Sequence, residues 1–260
     1  MHYKAHAKVN IFLKIVGTRG NYHELLSRFV LVDGLFDTLW FEPKKSKEHF
    51  ELVGNFDCVL EKNTIYKAYV ALCQQGYAKE LDYVMKYNAL HVNKIIPTGS
   101  GLGGGSSDAA TFLLAMNEHF DLSLSSSELI KIGSSVGADV AFFISKAKSA
   151  NVSGIGEIVE SFDEKALDIE VFTPPIACNT AKVYQTYREH FLQTIDKELA
   201  DKMLTIKSTE LLNSFQKESL NDLYLPALKC YPELQKYVKN GWFFSGSGSS
   251  FFRVKEKVHG

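Results

Sequence analysis

The sequence predicts an α+β protein of two domains, residues 1–148 and 149–260. Three observations indicate this fold class. Residues 90–117 read as an apolar strand, a glycine-rich loop and an apolar helix. A strand pattern restarts near Ser149, and amphipathic helical segments and a glycine-rich hairpin follow it. A chain of 260 residues is long enough to form two domains of ordinary size.

The composition indicates a soluble globular protein, with 45% hydrophobic and 23% charged residues. A formal net charge of −1 gives no sign of a nucleic-acid or membrane partner. The first residues, MHYKAHAK, lack the apolar core of a signal peptide, and no apolar run approaches the length of a membrane span. We therefore expect a cytoplasmic protein. Four widely spaced cysteines are expected to be free thiols: Cys58, Cys73, Cys178 and Cys230.

The N-terminal segment Tyr3–Val16 alternates like a strand, and it places Lys8 and Asn10 on the same, more polar face. From the residues alone, Lys8 is most simply a solvated charge. A helix is predicted from Thr64 to Gln75, with Asn63 as its N-cap and Gly76 as its end.

The glycine-rich loop is the strongest local signal. Pro97 stops the preceding strand, five glycines lie between Gly99 and Gly105, and a helix is predicted to open at Ser106 and Ser107. Asp108 would share the capping position with the two serines. Glycines let consecutive N–H groups approach an anion, and a helix N-terminus adds favourable dipoles. The sequence predicts a phosphate site, and a flexible linker is the alternative.

Other phosphate-binding patterns fit less well. A Walker loop would need a lysine before Ser106, and the protein-kinase motifs are absent. The dinucleotide pattern G-x-G-x-x-G matches at Gly99, Gly101 and Gly104, with Glu118 and Asp121 near the distance of a ribose-binding acid. It also requires a second parallel strand ending in that acid, whereas another helix is predicted there.

The rest of the chain adds one acidic candidate and a second set of elements. A helix is predicted from Ser125 to Val136, and Asp139 then enters an apolar run, where it could simply cap the next helix. Strands are predicted at 149–153, 157–162 and 169–173. A helix begins near Asn179, and its Tyr184 belongs either to an amphipathic surface helix or to a binding site. Residues 242–252 read as strand, turn and strand, with serines and glycines between.

Residues 97–110, PTGSGLGGGSSDAA, closely resemble the ATP-binding motif of the GHMP kinases. The match is closest to those members whose acceptor alcohol carries a cytidine diphosphate moiety. Further segments resemble the same family: 5–13 (AHAKVNIFL), 22–25 (YHEL), 137–143 (GADVAFF), 179–184 (NTAKVY) and 245–250 (SGSGSS). The resemblance implies a two-domain GHMP kinase fold, with an N-terminal ribosomal protein S5 domain 2-like part, a C-terminal α/β sandwich and the active site in the cleft between them.

The resemblance also implies the roles of particular residues. Lys8 would be catalytic, and Asp139 would be the base that accepts the hydroxyl proton, with Lys8 keeping it ionised. The residues implied to bind ATP are Pro97, Thr98, Gly99, Ser100, Gly101, Leu102, Gly103, Gly104, Gly105, Ser106 and Ser107. Those implied to bind the substrate are Asn10, Tyr22, His23, Thr180 and Tyr184.

ATP and Mg²⁺ are the cofactors that the resemblance implies, with the metal ligands left open beyond a hydroxyl of Ser106 or Ser107. The implied partner is a small-molecule substrate with a cytidine diphosphate moiety, handled by a monomer or weak homodimer. The sequence departs from the family pattern at Gly20-Asn21, at Ala141 and at Ile155, where the turn 154–157 also lacks a frequent arginine.

Two other functions stay open. A related GHMP kinase for homoserine, mevalonate or a sugar would share the glycine loop without needing the segment 22–25. A nucleotide-binding regulatory module could keep the fold and lose the chemistry, although the presence of both Lys8 and Asp139 argues against it.

Overall fold

The computed structural model describes residues 1–20, 22–45, 49–120 and 122–255, with only the backbone at residue 194. The sequence also predicts that the charge-rich segment 44–48 is a solvated hairpin or loop. Expectations that fall on Asn21, on residues 46–48 of this segment and on Asp121 lie outside the described residues. The chain forms two compact units. Unit 1 comprises Met1–Ala7, Leu35–Ile96 and Gly104–Lys146, and unit 2 comprises Lys8–Gly34, Pro97–Gly103 and Ala147–Gly260. The predicted division into domains 1–148 and 149–260 stays a prediction.

Two long strands, β1 (His2–Arg19) and β2 (Tyr22–Pro43), pair with each other and contribute residues to both units. In unit 1 the end of β2 pairs antiparallel with β4 (Asn88–Asn93), with Thr38 opposite Asn93. The short β3 (Leu52–Gly54) pairs parallel with β4. In β2 and β4, alternating apolar residues place one row of side chains in the core, whereas residues 7–15 of β1 are buried on both faces of the strand.

The described residues of unit 1 form five α-helices: α1 (Thr64–Leu72), α2 (Ala78–Tyr87), α3 (Gly104–His119), α4 (Ser126–Val136) and α5 (Val140–Ser145). Helix α3 packs against α1, α4 and α5. Its small residues Ala109 and Ala110 are fully buried, as is Phe112 on the next turn. A helix that is apolar on most sides is buried on most sides, so α3 forms the centre of this unit.

The helix starts in unit 1 follow the capping rules. Asn63 accepts a hydrogen bond from Ile65 N at the start of α1, which confirms its predicted role as N-cap. Ser125 and Glu128 form a capping box at the start of α4. Helix α1 ends at Leu72, three residues before the predicted end, because a wider turn follows and Gly76 takes a positive φ of 101°.

Unit 2 contains the other half of the β2 pairing. Strand β5 (Ser149–Gly154) runs antiparallel to β2, with Ser27 opposite Val152, and β6 (Ile158–Ser161) runs antiparallel to β5. A separate three-stranded sheet has the order β7 (Ile169–Phe172), β9 (Phe251–Val254), β8 (Phe243–Phe244). The strands predicted from residue 149 onward are confirmed.

Among the residues of unit 2 that are described, five α-helices form: α6 (Thr180–His190), α7 (Lys197–Met203), α8 (Ser208–Ser214), α9 (Lys217–Leu220) and α10 (Tyr224–Cys230). Helix α6 begins next to Asn179, as the sequence predicts, and the Asn179 side chain caps it by accepting from Lys182 N. A continuous apolar cluster includes Ile15 of β1, Val183 and Tyr187 of α6, Tyr224 of α10 and Phe251 of β9. This cluster packs β1 against α6, the helix that carries the predicted substrate residues Thr180 and Tyr184.

The four cysteines are free thiols, as predicted. In the described ranges no helix is both long enough and apolar enough to pass through a bilayer.

Candidate functional site

The loop 97–103 has the backbone conformation that an anion site requires. Gly99, Gly101 and Gly103 have positive φ values of 64°, 76° and 73°, while the residues between them do not. Alternation of this kind turns consecutive N–H groups toward one concave side, which suits the binding of phosphate oxygens. At Gly101 an added Cβ would lie 2.2 Å from the carbonyl oxygen of Ser245, so only glycine fits. The flexible-linker alternative is therefore wrong.

Helix α3 begins at Gly104, two residues earlier than predicted. Gly104 packs so closely against Ile96 that an added Cβ would lie 2.8 Å from its Cγ2 atom. The hydroxyl of Thr64 donates a 2.6 Å hydrogen bond to the carbonyl oxygen of Gly105. These contacts hold both glycines in helical conformation despite their low helix propensity.

Ser106, Ser107 and Asp108 consequently lie inside the first turns of α3, and the prediction that they cap the helix is wrong. Ser107 and Asp108 are buried. The Asp108 carboxylate accepts a 2.6 Å hydrogen bond from the ammonium of Lys94, which also contacts Asp37. The ionic group therefore lies on the side of α3 that faces the core.

Lys8 is only 3% exposed, so the solvated-charge alternative is wrong. Its ammonium donates to Oδ1 of Asn10 at 2.7 Å and to the carbonyl oxygen of Gly101 at 3.2 Å. It also lies 4.5 Å from the centre of the Phe29 ring, and the Lys8 amide donates to the carbonyl of Leu102 at 3.0 Å. A buried ammonium is retained only where polar and aromatic partners compensate for lost water. Lys8 is thus held directly against the glycine loop.

The second glycine segment, Ser245–Ser250, connects β8 to β9 and contacts the first loop. The Ser245 hydroxyl donates to the Gly101 carbonyl at 3.1 Å, and the Ser250 amide donates to the Ser100 carbonyl at 3.0 Å. The segment is therefore a hairpin turn, as the bare sequence suggested, and also a support for the phosphate-loop backbone.

The predicted substrate residues form two groups in unit 2. The rings of His23 and Tyr184 lie 5.2 Å apart at 30°, and both side chains are wholly or partly buried. The Thr180 hydroxyl is 2.9 Å from that of Ser247 in the second glycine segment. Tyr22 is 64% exposed. The structure therefore brings together His23 with Tyr184, and Thr180 with the second glycine segment.

His23 has an unused hydrogen-bonding atom. Its Nε2 is buried and has no hydrogen-bond partner among the residues that the structure describes. Burial lowers the pKa of His23, and the positive charge of Arg188 lowers it further. The imidazole is therefore neutral at pH 7 and can donate or accept one hydrogen bond to a ligand.

Asp139 is the residue before α5, in unit 1, and is partly buried. Its side chain makes no capping hydrogen bond to that helix, so the capping alternative is wrong. Lys8 belongs to unit 2. The prediction that the two side chains act on one hydroxyl stays a prediction.

Asp37 and Lys94 were missed by the sequence analysis. The Asp37 carboxylate accepts hydrogen bonds from the amides of Ile95 and Ile96, at 2.5 and 2.8 Å, and also contacts Lys94. The sequence features that could have indicated this pair are an aspartate within a mostly apolar strand and a lysine shortly before the glycine loop. In the described ranges, no three His, Cys, Asp or Glu side chains cluster in a way that could hold a metal ion.

Comparisons with known proteins agree with the resemblance. A family model for the GHMP kinases N terminal domain matches residues 63–147. The 4-diphosphocytidyl-2-C-methyl-D-erythritol kinase of Sulfurimonas denitrificans is 54% identical over 98% of this chain and 97% of its own length. The enzyme of the same name from a Sulfurovum species is 49% identical over 97% of this chain and 98% of its own length.

Solved structures show the same fold. A crystal structure of 4-(cytidine 5'-diphospho)-2C-methyl-D-erythritol kinase has 28% identity and a TM-score of 0.68, covering 98% of this chain and 90% of that one. The mevalonate kinase of Methanococcus jannaschii, at 15% identity and a TM-score of 0.59, shares the fold over 99% of this chain and 91% of its own. The α+β two-domain GHMP kinase fold expected from the sequence is confirmed.

Proposed function

The chain belongs to the GHMP kinases and, within them, to the 4-diphosphocytidyl-2-C-methyl-D-erythritol kinases, and from this premise we propose how its residues act. It is an ATP-dependent small-molecule kinase. The reaction transfers the γ-phosphoryl group of ATP to the 2-hydroxyl of 4-diphosphocytidyl-2-C-methyl-D-erythritol, giving the 2-phosphate and ADP for non-mevalonate isoprenoid biosynthesis. The observation that carries the assignment of roles is the buried Lys8 ammonium bonded to Asn10 and to the glycine loop.

We propose that loop 97–103 and the start of α3 bind the triphosphate. Phosphoryl transfer passes through a loose transition state with charge spread over the phosphoryl oxygens. The protein therefore has to hold the two reactants in line and neutralise that charge. The positive φ values at Gly99, Gly101 and Gly103 support this role, because they turn main-chain N–H groups to one side. The N-terminal dipoles of a 16-residue helix add to the same field.

Lys8 and Asp139 take the two chemical roles in this proposal. The ammonium of Lys8 supplies fixed positive charge to the transferred group, in a site with little water to screen it. The carboxylate of Asp139 accepts the proton of the attacking hydroxyl. The burial of Lys8 against the loop supports its role. The resemblance of residues 137–143 to the family supports the role of Asp139.

Mg²⁺ is the metal that we propose to accompany ATP, and when bound it neutralises charge on the phosphate oxygens. It usually keeps several waters and takes few protein ligands beside substrate phosphates. Among the described residues no three His, Cys, Asp or Glu side chains form a metal site, and this fits a metal held mostly by phosphate and water. A hydroxyl of Ser106 or Ser107 is the protein ligand we propose.

The acceptor's cytidine half is proposed to bind at Tyr22, His23, Thr180 and Tyr184. The neutral imidazole of His23, with its buried and unpartnered Nε2, suits a hydrogen bond to a base edge. The Tyr184 ring beside it offers an aromatic face for stacking. We further propose that the enzyme works in the cytoplasm as a monomer or weak homodimer, which sedimentation velocity over a range of concentrations would test.

A panel of acceptors tests the function. ADP release should be measured with 4-diphosphocytidyl-2-C-methyl-D-erythritol, mevalonate, homoserine and galactose at equal concentrations, with an acceptor-free reaction as control. We expect turnover with the first compound and background rates with the others. Equal or greater turnover with mevalonate, homoserine or the sugar would favour a sister kinase. ATP binding without turnover of any acceptor would favour the regulatory module.

A further inference from the structure

We propose that Asn221 is a positioning residue for phosphoryl transfer, because it fixes the second glycine segment, Ser245–Ser250, against the first loop. The inference rests on the proposed function, since it concerns the site built around Lys8, Asn10 and Gly101. Asn221 does not itself contact any of these three residues through the hydrogen bonds described below. It acts through Ser245.

The Asn221 side chain is 2% exposed and makes three hydrogen bonds. Its amide nitrogen donates to the carbonyl oxygens of Phe244 and Gly246, at 3.0 and 2.9 Å. Its Oδ1 accepts from the amide of Leu223 at 2.9 Å. Both donor hydrogens are therefore directed at the residues on either side of Ser245. A carboxamide is the neutral side-chain group that supplies two donors and an acceptor in this arrangement.

Ser245 passes this restraint to the site. Its hydroxyl donates to the Gly101 carbonyl at 3.1 Å and accepts from the backbone N–H of Asn10 at 3.4 Å. The Gly101 carbonyl also accepts from the Lys8 ammonium at 3.2 Å. Gly101 is the middle glycine of the three with positive φ, and its carbonyl orientation sets the direction of the next N–H in the loop. A shift of Ser245 would therefore disturb the loop and Lys8 together.

The neighbouring residue holds Asn221 in place. Asp222 forms an ion pair with Lys14, both side chains being about 6% exposed, and accepts a 2.8 Å hydrogen bond from the Ile15 amide. The Asp222 amide donates to the Leu13 carbonyl at 2.9 Å. The dipeptide Asn221-Asp222 is thus anchored to β1, the strand that carries Lys8 and Asn10. Asn221 and Asp222 therefore connect β1 to the second glycine segment, which in turn contacts the first loop through Ser245.

The substitution Asn221→Asp tests the inference with almost no change in volume. The carboxylate would face two carbonyl oxygens with no hydrogen to donate, so the segment should move away from it. Misplacement by about 1 Å costs on the order of 100-fold in rate. We expect kcat to fall by about that factor at pH 8, and to recover in part relative to wild type as the pH is lowered toward 6. Recovery is expected because a protonated carboxyl regains one donor, and burial raises the pKa of a carboxyl.

Asn213→Asp is the matched control, since Asn213 is an exposed residue of α8. It makes the same chemical change in the same unit and should leave kcat, both KM values and the pH profile as in wild type. An Asn221→Asp enzyme that folds and keeps the wild-type kcat and pH profile would overturn the inference. A role in stability alone would lower the melting temperature without producing the recovery at lower pH.

Ser245→Ala covers the case in which Asn221→Asp does not fold. It removes only the hydroxyl between Gly101 and Asn10, and the inference expects it to reproduce the loss of kcat. A folded Ser245→Ala enzyme with unchanged kcat would overturn the inference. Hydrogen exchange of the backbone amides in 245–250 tests the restraint by Asn221 without using activity. It therefore distinguishes failure of this inference from failure of the proposed function. Faster exchange in Asn221→Asp than in Asn213→Asp would support the restraint even if wild type phosphorylated none of the acceptors, and equal exchange would contradict it.

Discussion

Replacing Asp108 with asparagine should flatten the pH dependence of stability between about pH 5 and pH 8. Asp108 is 2% exposed, and burial raises its pKa from 3.8 to about 7. Attraction to Lys94 opposes the rise, whereas the nearby charge of Asp37 adds to it. A carboxyl with a raised pKa binds its proton more tightly in the folded state. Its contribution to stability is complete below the unfolded pKa and is lost as the pH rises through about 7.

The size of this effect follows from the shift. One pKa unit corresponds to about 1.4 kcal/mol, so a rise from 3.8 to about 7 represents about 4 kcal/mol in total. Of this, about 3 kcal/mol is lost between about pH 5 and pH 8. Asparagine has nearly the same shape, does not titrate, and can still accept a hydrogen bond from Lys94. As the pH rises from about 5 to about 8, we therefore expect the free energy of unfolding of wild type to fall by about 3 kcal/mol more than that of the variant.

Urea denaturation at several pH values measures the free energy of unfolding of both proteins. Asp33→Asn is the control, because Asp33 is 66% exposed in its side chain and pairs with Lys148 on the surface. The control should follow the wild-type curve closely. Parallel curves for wild type and Asp108→Asn would show that Asp108 does not take up a proton in this range, and would refute the reasoning.

Five further substitutions have stated outcomes. Lys8→Ala and Asp139→Asn should each lower kcat by roughly 100-fold or more with ATP affinity largely kept, and near wild-type kcat in either would remove that residue from its role. Tyr184→Ala should raise the acceptor KM more than it lowers kcat, whereas an unchanged KM would return it to a packing role. Gly101→Ala has no room for its Cβ and should weaken ATP binding roughly tenfold or more by calorimetry. Lys94→Met leaves two buried carboxylates without their cation and should cost about 3–5 kcal/mol in urea denaturation, and an unchanged midpoint would contradict this.

The sequence predicts those parts of the site whose local chemistry is unusual. Alternating glycines with serines at a helix start can be interpreted without a fold, because few other structures need them. The sequence predicts the start of α3 two residues too late, because local propensity disfavours a helix that begins with two glycines. Glycine is a poor helix former, and only its close packing against Ile96 makes Gly104 helical.

The burial of Lys8 could not be predicted from strand alternation. Asn10 and Lys14 share its face of β1, and all three are almost fully buried. Polar side chains can be buried in a strand that is covered on both faces if they have partners distant in sequence. Lys8 has such a partner in Gly101, and Lys14 in Asp222, so the alternating pattern alone wrongly suggests an exposed face. The Asp37, Lys94 and Asp108 cluster was missed for the same reason, since a long-range ion pair has no local pattern.

The most direct test of the central claim is to locate the transferred phosphate. Wild-type enzyme, ATP, Mg²⁺ and 4-diphosphocytidyl-2-C-methyl-D-erythritol should be incubated together, and the product examined by phosphorus NMR with carbon–phosphorus couplings. We expect one new phosphomonoester on the 2-hydroxyl carbon, formed in equal amount to ADP. A phosphate on another hydroxyl, or ADP formed without a phosphorylated acceptor, would contradict the account.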